Sequence, residues 1–520
     1  MTTSPHWTSI SVIILLATIG FALYKAYRGV ASRTLPYPPG PPRLPILGSV
    51  HLLPQEYQEK TFAEWGKTFG DLVFAKLFRT PTIIINSFET ARDLMEKRSR
   101  NYSSRPRFIL MTELMGWKNV LTHTPYGDEF RLQRKWIQEA FQTKAALDSY
   151  RALQRREVNV VLANLLSSPN AFMAHFTRFS ASVIMEICYG HRVTSDHDKF
   201  IHIAERAATA TVTAGSAGSM LVDFFPILKL LPTWMPGAGF KRRAFHVREL
   251  VKELYDAPYS MVCEKMASGI AWPSFTSTLL EQCYRKGELT AYDEDNIKGA
   301  AAVIYAAGTE TTATVMITFI LAMVTFPDIY KKLQEEVGRV VGSDRLPDFD
   351  DRESLPYVES VIKESYRWHV PVPLGIPHNT MKPDVYNGYY IPQNSMVIGN
   401  IWNMSQDESV YLNPEEFRPE RFLGETNFEL DPKNFVFGFG RRQCPGADFA
   451  DRNIFLLVAS LAATMDLAKA KDSEGREITP PIEFTSGFVC RPKDFVCQIT
   501  PRSEKAAELI KQMNAVTGEV

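Results

Sequence analysis

Apolar residues recur at helical spacing along most of the chain after residue 45. The segments 87–99 and 128–142 place apolar residues three and four positions apart, which is the pattern of amphipathic helices. Short segments rich in β-branched and aromatic residues predict strands at 71–78, 80–86, 385–392 and 395–400. The pattern therefore predicts a mainly α-helical fold with a few small β-sheets.

The N-terminus contains an uncharged apolar run of 18 residues, from Trp7 to Tyr24. This length is just enough to cross a bilayer as a helix. Basic residues follow the run but do not precede it, which places the rest of the chain in the cytosol by the positive-inside rule. A cleaved signal peptide is the alternative, but it would carry its basic residues before the apolar run. We therefore predict that residues 1–34 form a single-pass membrane anchor with a transmembrane helix.

Residues 35–45 contain six prolines and can form neither a helix nor a central strand. This segment is predicted to be a stiff hinge between the anchor and the globular part of the protein. No internal repeat and no comparable linker follow it. Residues 46–500 are therefore predicted to fold as one large domain, with residues 501–520 as a C-terminal tail.

Charge and cysteine content exclude several classes of protein. Lys plus Arg and Asp plus Glu both number 58, so the net charge is +0, without the basic excess of a nucleic-acid-binding protein. The six cysteines include no C-x-x-C pair, which argues against a zinc site or a disulfide framework and favours a reducing compartment.

A long buried helix is predicted from Asp293 to a stop at Pro327, because its flanks are apolar on all sides. The charge-free run from Ala313 to Phe326 has 14 residues, which is too short for a second membrane span. The centre, residues 307–312, nevertheless reads AGTETT. Glycine weakens a helix, and a buried carboxylate is costly without a partner. An acid beside a hydroxyl, at a kink that admits water, can deliver protons. Glu310 and Thr311 are therefore candidate catalytic residues, although a helix crossing relaxed for packing would also explain the glycine.

The sequence FGFGRRQCPG, residues 437–446, surrounds Cys444 with glycines and arginines. Glycines let the backbone approach the sulfur closely, and nearby positive charge and N–H groups favour a thiolate. The motif indicates a thiolate that is held as a ligand. Taken alone, it also fits a turn that merely contains a cysteine.

The order of several such motifs resembles that of the haem-thiolate monooxygenases, the cytochrome P450 family, over essentially the whole chain. The family's haem loop, F-x-x-G-x-R-x-C-x-G, is matched at 437–446, and its long-helix motif, [A/G]-G-x-[D/E]-T-[T/S], at 307–312. The family's E-x-x-R pair is matched by Glu364 and Arg367, and its later loop arginine by Arg421. By themselves, Glu364 and Arg367 would be an ordinary ion pair on one helical face.

Details within the haem loop and the segments 225–242 and 367–378 are similar to fungal members of the family. They are most similar to the group around O-methylsterigmatocystin oxidoreductase, which serves secondary metabolism. This resemblance implies one large α-rich haem-thiolate domain.

The resemblance implies haem b as the cofactor, with Cys444 as the axial thiolate ligand of the iron. It implies that Arg134, His378 and Arg442 bind the haem propionates and that Phe437 shields the thiolate. His378 stands where many members have arginine, so its charge at neutral pH is open. The family's usual tryptophan four residues before Arg134 is also replaced by phenylalanine, which removes one N–H group towards a propionate.

By the same resemblance, Glu310 and Thr311 pass protons during oxygen activation. Glu364, Arg367 and Arg421 are expected to hold the haem-side core together rather than to act in catalysis. Substrate contacts are expected in four places, namely 108–117, Tyr305, 372–376 and Phe488.

The segment 221–243 is apolar, is interrupted by three prolines and ends in a basic cluster. A buried loop is one interpretation. We favour docking to a bilayer surface, because an apolar stretch beside basic residues suits a membrane interface.

The resemblance also implies an enzyme that oxidises an apolar small molecule, a terpenoid or a polyketide, with O2 and electrons from NADPH. A flavin domain would be indicated by a separate G-x-G-x-x-G fingerprint after a strand, and the sequence does not contain one. Electrons are therefore expected from an NADPH–cytochrome reductase at the endoplasmic reticulum membrane, with cytochrome b5 as a second candidate donor. Two alternatives stay open: a reductase-independent isomerase or dehydratase of the same family, and a haem-binding protein without catalysis.

Overall fold

The computed structural model describes residues 18, 20, 35–195, 198–215, 220–424 and 431–518 of the chain. The predicted anchor, residues 1–34, therefore lies outside the described residues except at two positions. The proline-rich hinge is extended and forms backbone hydrogen bonds with two strands that belong to different sheets. The Tyr390 N–H donates to the Pro36 carbonyl oxygen at 2.7 Å, and the Phe74 N–H donates to that of Pro39 at 2.9 Å.

Helices form most of the described fold, as predicted. In the first half of the chain they are α1 (Gln58–Phe69), α2 (Phe88–Ala91), α3 (Ser99–Tyr102), α4 (Asp128–Phe141), α5 (Lys144–Ser149), α6 (Arg151–Ser167), α7 (Phe172–Tyr189), α8 (Lys199–Ala214), α9 (Leu221–Phe224) and α10 (Gly239–Ala267). In the second half they are α11 (Phe275–Lys286), α12 (Ala291–Thr325), α13 (Pro327–Val340), α14 (Pro356–Trp368), α15 (Ile401–Ser405), α16 (Lys433–Val436), α17 (Ala447–Thr464) and α18 (Glu504–Gly518).

The strands among the described residues form three small sheets. They are β1 (Leu72–Leu77), β2 (Thr80–Ile85), β3 (His378–Asn379), β4 (Asp384–Tyr386), β5 (Tyr389–Ile391), β6 (Met396–Gly399), β7 (Met465–Lys471), β8 (Glu477–Ile478) and β9 (Cys497–Pro501). The largest sheet has the order β1-β2-β6-β3, in which β2 and β6 are parallel, and the other two are β4-β5 and β8-β7-β9. All four segments that the sequence predicted as strands contribute to these sheets.

The long helix α12 lies at the centre of the core. It begins at a capping box, in which the Asp293 N–H donates to Thr290 Oγ1 at 3.1 Å and the Thr290 N–H donates back to Asp293 Oδ2 at 3.3 Å. It ends at Thr325, just before Pro327 opens α13. Helices α7, α14 and α17 pack against it. By length and composition α12 could cross a membrane, but 72% of its most apolar 18-residue stretch is buried inside the protein.

The segment 221–243 exposes several large apolar side chains, although Val222 and Ala238 within it are buried. It contains α9, a 3₁₀-helix from Pro226 to Leu230 and the first turn of α10. Ile227, Leu230 and Trp234 are 73%, 77% and 77% exposed. Large exposed apolar side chains that lie close together mark a surface that contacts something else.

The predicted C-terminal tail, residues 501–520, includes the helix α18, which packs against α6.

Candidate active site

The cysteine loop, residues 437–446, joins α16 to α17 in a tight fold. Gly440 has a φ of +54°, and a Cβ there would lie 2.4 Å from the carbonyl oxygen of Met95, so the loop requires glycine at this position. The Cys444 N–H donates to the Phe437 carbonyl oxygen at 2.7 Å. These contacts fix Cys444 three residues before α17 begins.

The surroundings of Cys444 include groups that stabilise a thiolate. Burial raises the pKa of the thiol overall, and the charge of Asp448 adds to this, whereas a hydrogen bond from the Gly446 N–H and the positive charge of Arg134 oppose it. Arg134 is held in place because its guanidinium donates to the Gln443 carbonyl oxygen. A cysteine near a helix N-terminus, with an N–H donor and a cation beside it, is suited to act as a metal ligand.

Two arginines near this loop have no acidic partner. Arg105 is 6% exposed, and its guanidinium donates at 2.6–2.8 Å to the backbone carbonyls of Thr122, Ile376 and Pro377. Arg442 donates at 2.7–2.9 Å to the carbonyls of Ser103, Leu121 and Thr124, and its guanidinium lies 3.8 Å from the centre of the Phe130 ring. Neither guanidinium forms an ion pair with an acidic side chain within the described part of the chain. Burial, together with the positive charge of Arg134, lowers the pKa of Arg442 to about 9.

Two histidines, the buried His378 and the half-buried His123, belong to the same group. Nδ1 of His378 lies 2.6 Å from the Tyr102 carbonyl oxygen, and burial, with the charges of Arg105 and Arg442, holds the pKa of His378 well below its ordinary value. The same causes lower the pKa of His123 to about 3. As long as no anion is bound, these lowered pKa values favour the neutral form of both histidines at pH 7.

This group of side chains fits the propionates of haem b. Buried cations need an anionic partner, and two propionate carboxylates next to a thiolate-ligated iron would supply it. Arg105, Arg134 and Arg442 are the side chains that could hold the propionates. The sequence analysis did not predict Arg105 or His123, because no local motif distinguishes them.

The middle of α12 is accessible to solvent, whereas the helix on both sides of it is buried. None of residues 306–311 is buried, whereas residues 299–305 and 312–324 are. Glu310 is exposed, yet burial by the surrounding protein raises the pKa of its carboxyl, and the charge of Arg491 partly opposes this. An accessible side chain that is still partly desolvated lies in a concave surface. The prediction that Glu310 is buried is therefore wrong, because its side chain lies on the solvent-accessible stretch, residues 306–311, of an otherwise buried helix.

Thr311 is held by the preceding turn of the helix. Its Oγ1 donates to the Ala307 carbonyl oxygen at 2.8 Å, and α12 continues without a break through Gly308. A Cβ at Gly308 would lie 3.0 Å from Cγ1 of Ile184 on α7. Close helix packing therefore accounts for the glycine, and the predicted kink does not interrupt the helix.

Comparison with known proteins decides the family. A family model described as "Cytochrome P450" matches residues 38–498. The chain belongs to the cytochrome P450 family. The resemblance on which the sequence analysis relied is therefore confirmed, and the chain is a monooxygenase of a family that holds haem through a cysteine thiolate.

Several curated cytochromes P450 from fungi are similar to this one over nearly their whole length. Cytochrome P450 monooxygenase 136 of Postia placenta is 45% identical over 505 residues, which cover 96% of this chain and 95% of the relative. Cytochrome P450 monooxygenase 176 of the same fungus is 44% identical, with 92% and 93% covered. Cytochrome P450 monooxygenase claR of Ampulloclitocybe clavipes is 41% identical, with 91% and 88% covered.

The E-x-x-R pair of this cytochrome P450 lies in a fully buried network on α14. Glu364 and Arg367 are both 0% exposed. The guanidinium of Arg367 donates twice to the Glu364 carboxylate, at 2.8 Å for each bond. Arg421 Nε adds a bond to the same carboxylate at 3.2 Å. These contacts support the predicted structural role of all three residues.

The expected substrate contacts of this cytochrome P450 fall in different environments. Residues 108–117 contain a short π-helix, Ile109–Leu114, with several buried apolar side chains. Tyr305 is buried near Cys188 of α7, beside the open stretch of α12 rather than within it. Phe488 is 58% exposed.

Proposed function

We propose that this cytochrome P450 holds haem b through Cys444 and inserts oxygen into an apolar small molecule, using electrons that a separate reductase takes from NADPH. The observation that carries the proposal is a group of arginines without an acidic partner among the described residues, beside a cysteine whose neighbours Gly446 N–H and Arg134 favour the thiolate. A bound haem would neutralise these cations and would give the cysteine its metal.

The protein's own groups position the cofactor. Haem supplies the oxygen-activating chemistry when it is bound. Cys444 gives the thiolate, which the Gly446 N–H and Arg134 stabilise. Arg105 and Arg442 are oriented by backbone carbonyls, so they would bind the propionates without rearrangement. His378 would donate to a propionate from Nε2 only as the imidazolium, because its Nδ1 already donates to the Tyr102 carbonyl.

Glu310 and Thr311 are proposed to move protons at the open stretch of α12. The raised pKa of Glu310 lets its carboxyl hold a proton closer to neutral pH than an ordinary glutamate does. The Thr311 hydroxyl donates to the Ala307 carbonyl and keeps lone pairs with which to accept a proton from a carboxyl or a water. For a relay, a water would carry the proton from Glu310 Oε to Thr311 Oγ1, while Thr311 releases its own hydroxyl proton, which it otherwise donates to the Ala307 carbonyl, into the open stretch of α12.

We further propose that residues 1–34 anchor the protein in the endoplasmic reticulum membrane and that the segment 221–243 docks on the same surface. The exposed Ile227, Leu230 and Trp234 support the docking. An NADPH–cytochrome reductase in the same membrane is the proposed electron donor, with cytochrome b5 as an auxiliary one. Resemblance to fungal members supports a role in secondary metabolism, with a terpenoid or polyketide as substrate.

The experiment is co-expression with a fungal NADPH–cytochrome reductase, followed by mass spectrometry of products from fed fungal extracts. The proposal expects a gain of one oxygen atom that requires both NADPH and the reductase. Turnover without either would indicate an isomerase or a dehydratase. Haem binding without any turnover across the fed extracts would indicate a non-catalytic haem protein.

A further inference from the structure

Tyr366 of α14 packs against the cysteine loop. Its ring meets that of Phe437 edge to face, with the ring centroids 5.4 Å apart and an angle of 72° between the planes. This arrangement is favourable because the positive edge of one ring faces the negative face of the other. Tyr366 is 2% exposed, so its neighbours leave its ring little freedom to move. A side chain outside the loop therefore fixes the ring of Phe437.

Phe437 is in turn bonded to the cysteine. Its carbonyl oxygen accepts the Cys444 N–H at 2.7 Å. A shift of Phe437 would therefore displace the backbone that carries the sulfur, and with it the hydrogen bond that the Gly446 N–H donates to the sulfur. Direct contacts thus connect Tyr366 to the proposed thiolate.

The hydroxyl of Tyr366 is held by a largely buried carboxylate. It donates to Asp451 Oδ1 at 3.1 Å. The same oxygen lies 2.9 Å from Lys433 Nζ, and Oδ2 accepts from Arg352 at 2.5 Å. Although burial opposes it, the charges of Lys433 and Arg352 hold the pKa of Asp451 below its ordinary value. Asp451 is therefore an anion at neutral pH and keeps these partners.

The ion pair between Lys433 and Asp451 joins the two ends of the cysteine loop. Lys433 is the first residue of α16, which leads into the loop, and Asp451 lies on α17, which follows it. Lys433 also lies 2.6 Å from Glu359 of α14, the helix that carries Tyr366. The loop is thus tied at both ends to the helix whose tyrosine packs against its Phe437.

We propose that Tyr366 is a positioning residue for the thiolate, because it fixes Phe437 and through it Cys444. The inference rests on the proposed function, since it takes Cys444 as the iron ligand, and it adds a residue that sets the surroundings of the sulfur. Hydrogen bonds to a ligand sulfur tune the reduction potential of the metal. When a displaced backbone donates more weakly, the thiolate keeps more electron density and favours the oxidised iron.

The test is the reduction potential of the full-length, haem-loaded protein. In Tyr366→Leu, the ratio of reduced to oxidised iron at a fixed potential should fall by about 2- to 10-fold, the factor that an edge-to-face ring pair contributes to an equilibrium. A 10-fold fall is a shift of about 59 mV for one electron. Tyr366→Phe keeps the ring but loses the bond to Asp451, which retains Lys433 and Arg352, and should lower the ratio by less.

The matched control is Tyr330→Leu, which removes another buried tyrosine. Tyr330 is 3% exposed and meets Phe319 edge to face. Its hydroxyl donates to the carbonyls of Leu461 and Met465, at the end of α17 that is remote from the cysteine loop. The core loses a similar contact, but the potential should stay that of wild type.

The carbon monoxide spectrum of each reduced protein reports separately whether a thiolate is bound. If wild type shows the far-shifted Soret band and Tyr366→Leu has the wild-type potential, the positioning role is overturned and the proposed function stands. If haem-loaded wild type lacks the band, the proposed function is wrong and the inference falls with it. An equal shift in Tyr330→Leu would trace the effect to a loosened core and would overturn the positioning role. If Tyr366→Leu retains no haem, Tyr366→Phe decides, and a wild-type potential in that variant overturns the inference.

Discussion

Removal of the Glu364 carboxylate should prevent the protein from retaining haem rather than slow its catalysis. In Glu364→Ala, four hydrogen bonds disappear. Two come from Arg367, one comes from Arg421, and one comes from the Arg418 backbone N–H at 2.8 Å. Among the described residues, the hydrogen-bond acceptors that Arg367 then keeps are two carbonyls at 3.1 Å, in a place with no exposure to water.

The magnitude follows from this burial. Loss of one partner of a buried ion pair costs about 3–5 kcal/mol, because the remaining charge is left without compensation. At 1.36 kcal/mol per factor of ten, the ratio of folded to unfolded protein falls by roughly 10²- to 10³-fold or more. Since folding stabilities are typically about 5–15 kcal/mol, this loss removes between about a fifth and all of the stability, and it falls on the core that would hold the haem.

The assay combines haem content per protein with the midpoint of urea denaturation. The matched control is Glu281→Ala, which removes a glutamate from an exposed helical pair with Arg285 and should cost under about 1 kcal/mol. A Glu364→Ala protein that holds a full complement of haem, denatures like the control and has lost turnover would refute the structural role and would point to catalysis.

Three further predictions concern protons, propionates and pH. Thr311→Ala should keep haem and NADPH oxidation but should shift electrons from product to hydrogen peroxide. The amount of product should fall by ~10²-fold or more. An unchanged ratio of product to NADPH would contradict the proton relay. Arg105→Gln should release haem to apomyoglobin faster than wild type does, whereas Arg131→Gln, at an exposed position on α4, should not; equal rates would remove Arg105 from the cofactor site. Burial raises the pKa of Asp223 from 3.8 to about 6, although its Oδ1 accepts the Leu110 N–H at 2.8 Å. Because the native carboxyl binds its proton more tightly than the unfolded one, the free energy of unfolding of wild type relative to Asp223→Asn should fall as the pH rises from about 4 to about 6. A difference that stays flat or rises in this range in paired urea titrations would show that the carboxyl is not desolvated.

Local motifs explain which parts of the site were predictable. Cys444 was found because its loop needs glycines at fixed spacing, and Glu364 was found because its partner Arg367 lies one helical turn away. Arg105 and His123 were missed, since they approach Arg442 only when distant segments of the chain fold together.

The long helix shows the limit of reasoning from one element. The glycine in its centre was interpreted as a kink, but the structure explains it by contact with Ile184 on α7. Likewise, Glu310 was expected to be buried because its helix is apolar on both sides. The open stretch around it is formed by the elements packed nearby, which the sequence of the helix does not specify.

The role of Cys444 is tested most directly by the absorption spectrum of the reduced protein with carbon monoxide. Wild-type protein should show the far-shifted Soret band that is specific to a thiolate-ligated haem, and Cys444→His should lose this band while Cys490→Ser, at another buried cysteine, keeps it. Persistence of the band in Cys444→His, or its absence from haem-loaded wild type, would contradict the assignment of Cys444 as the axial ligand.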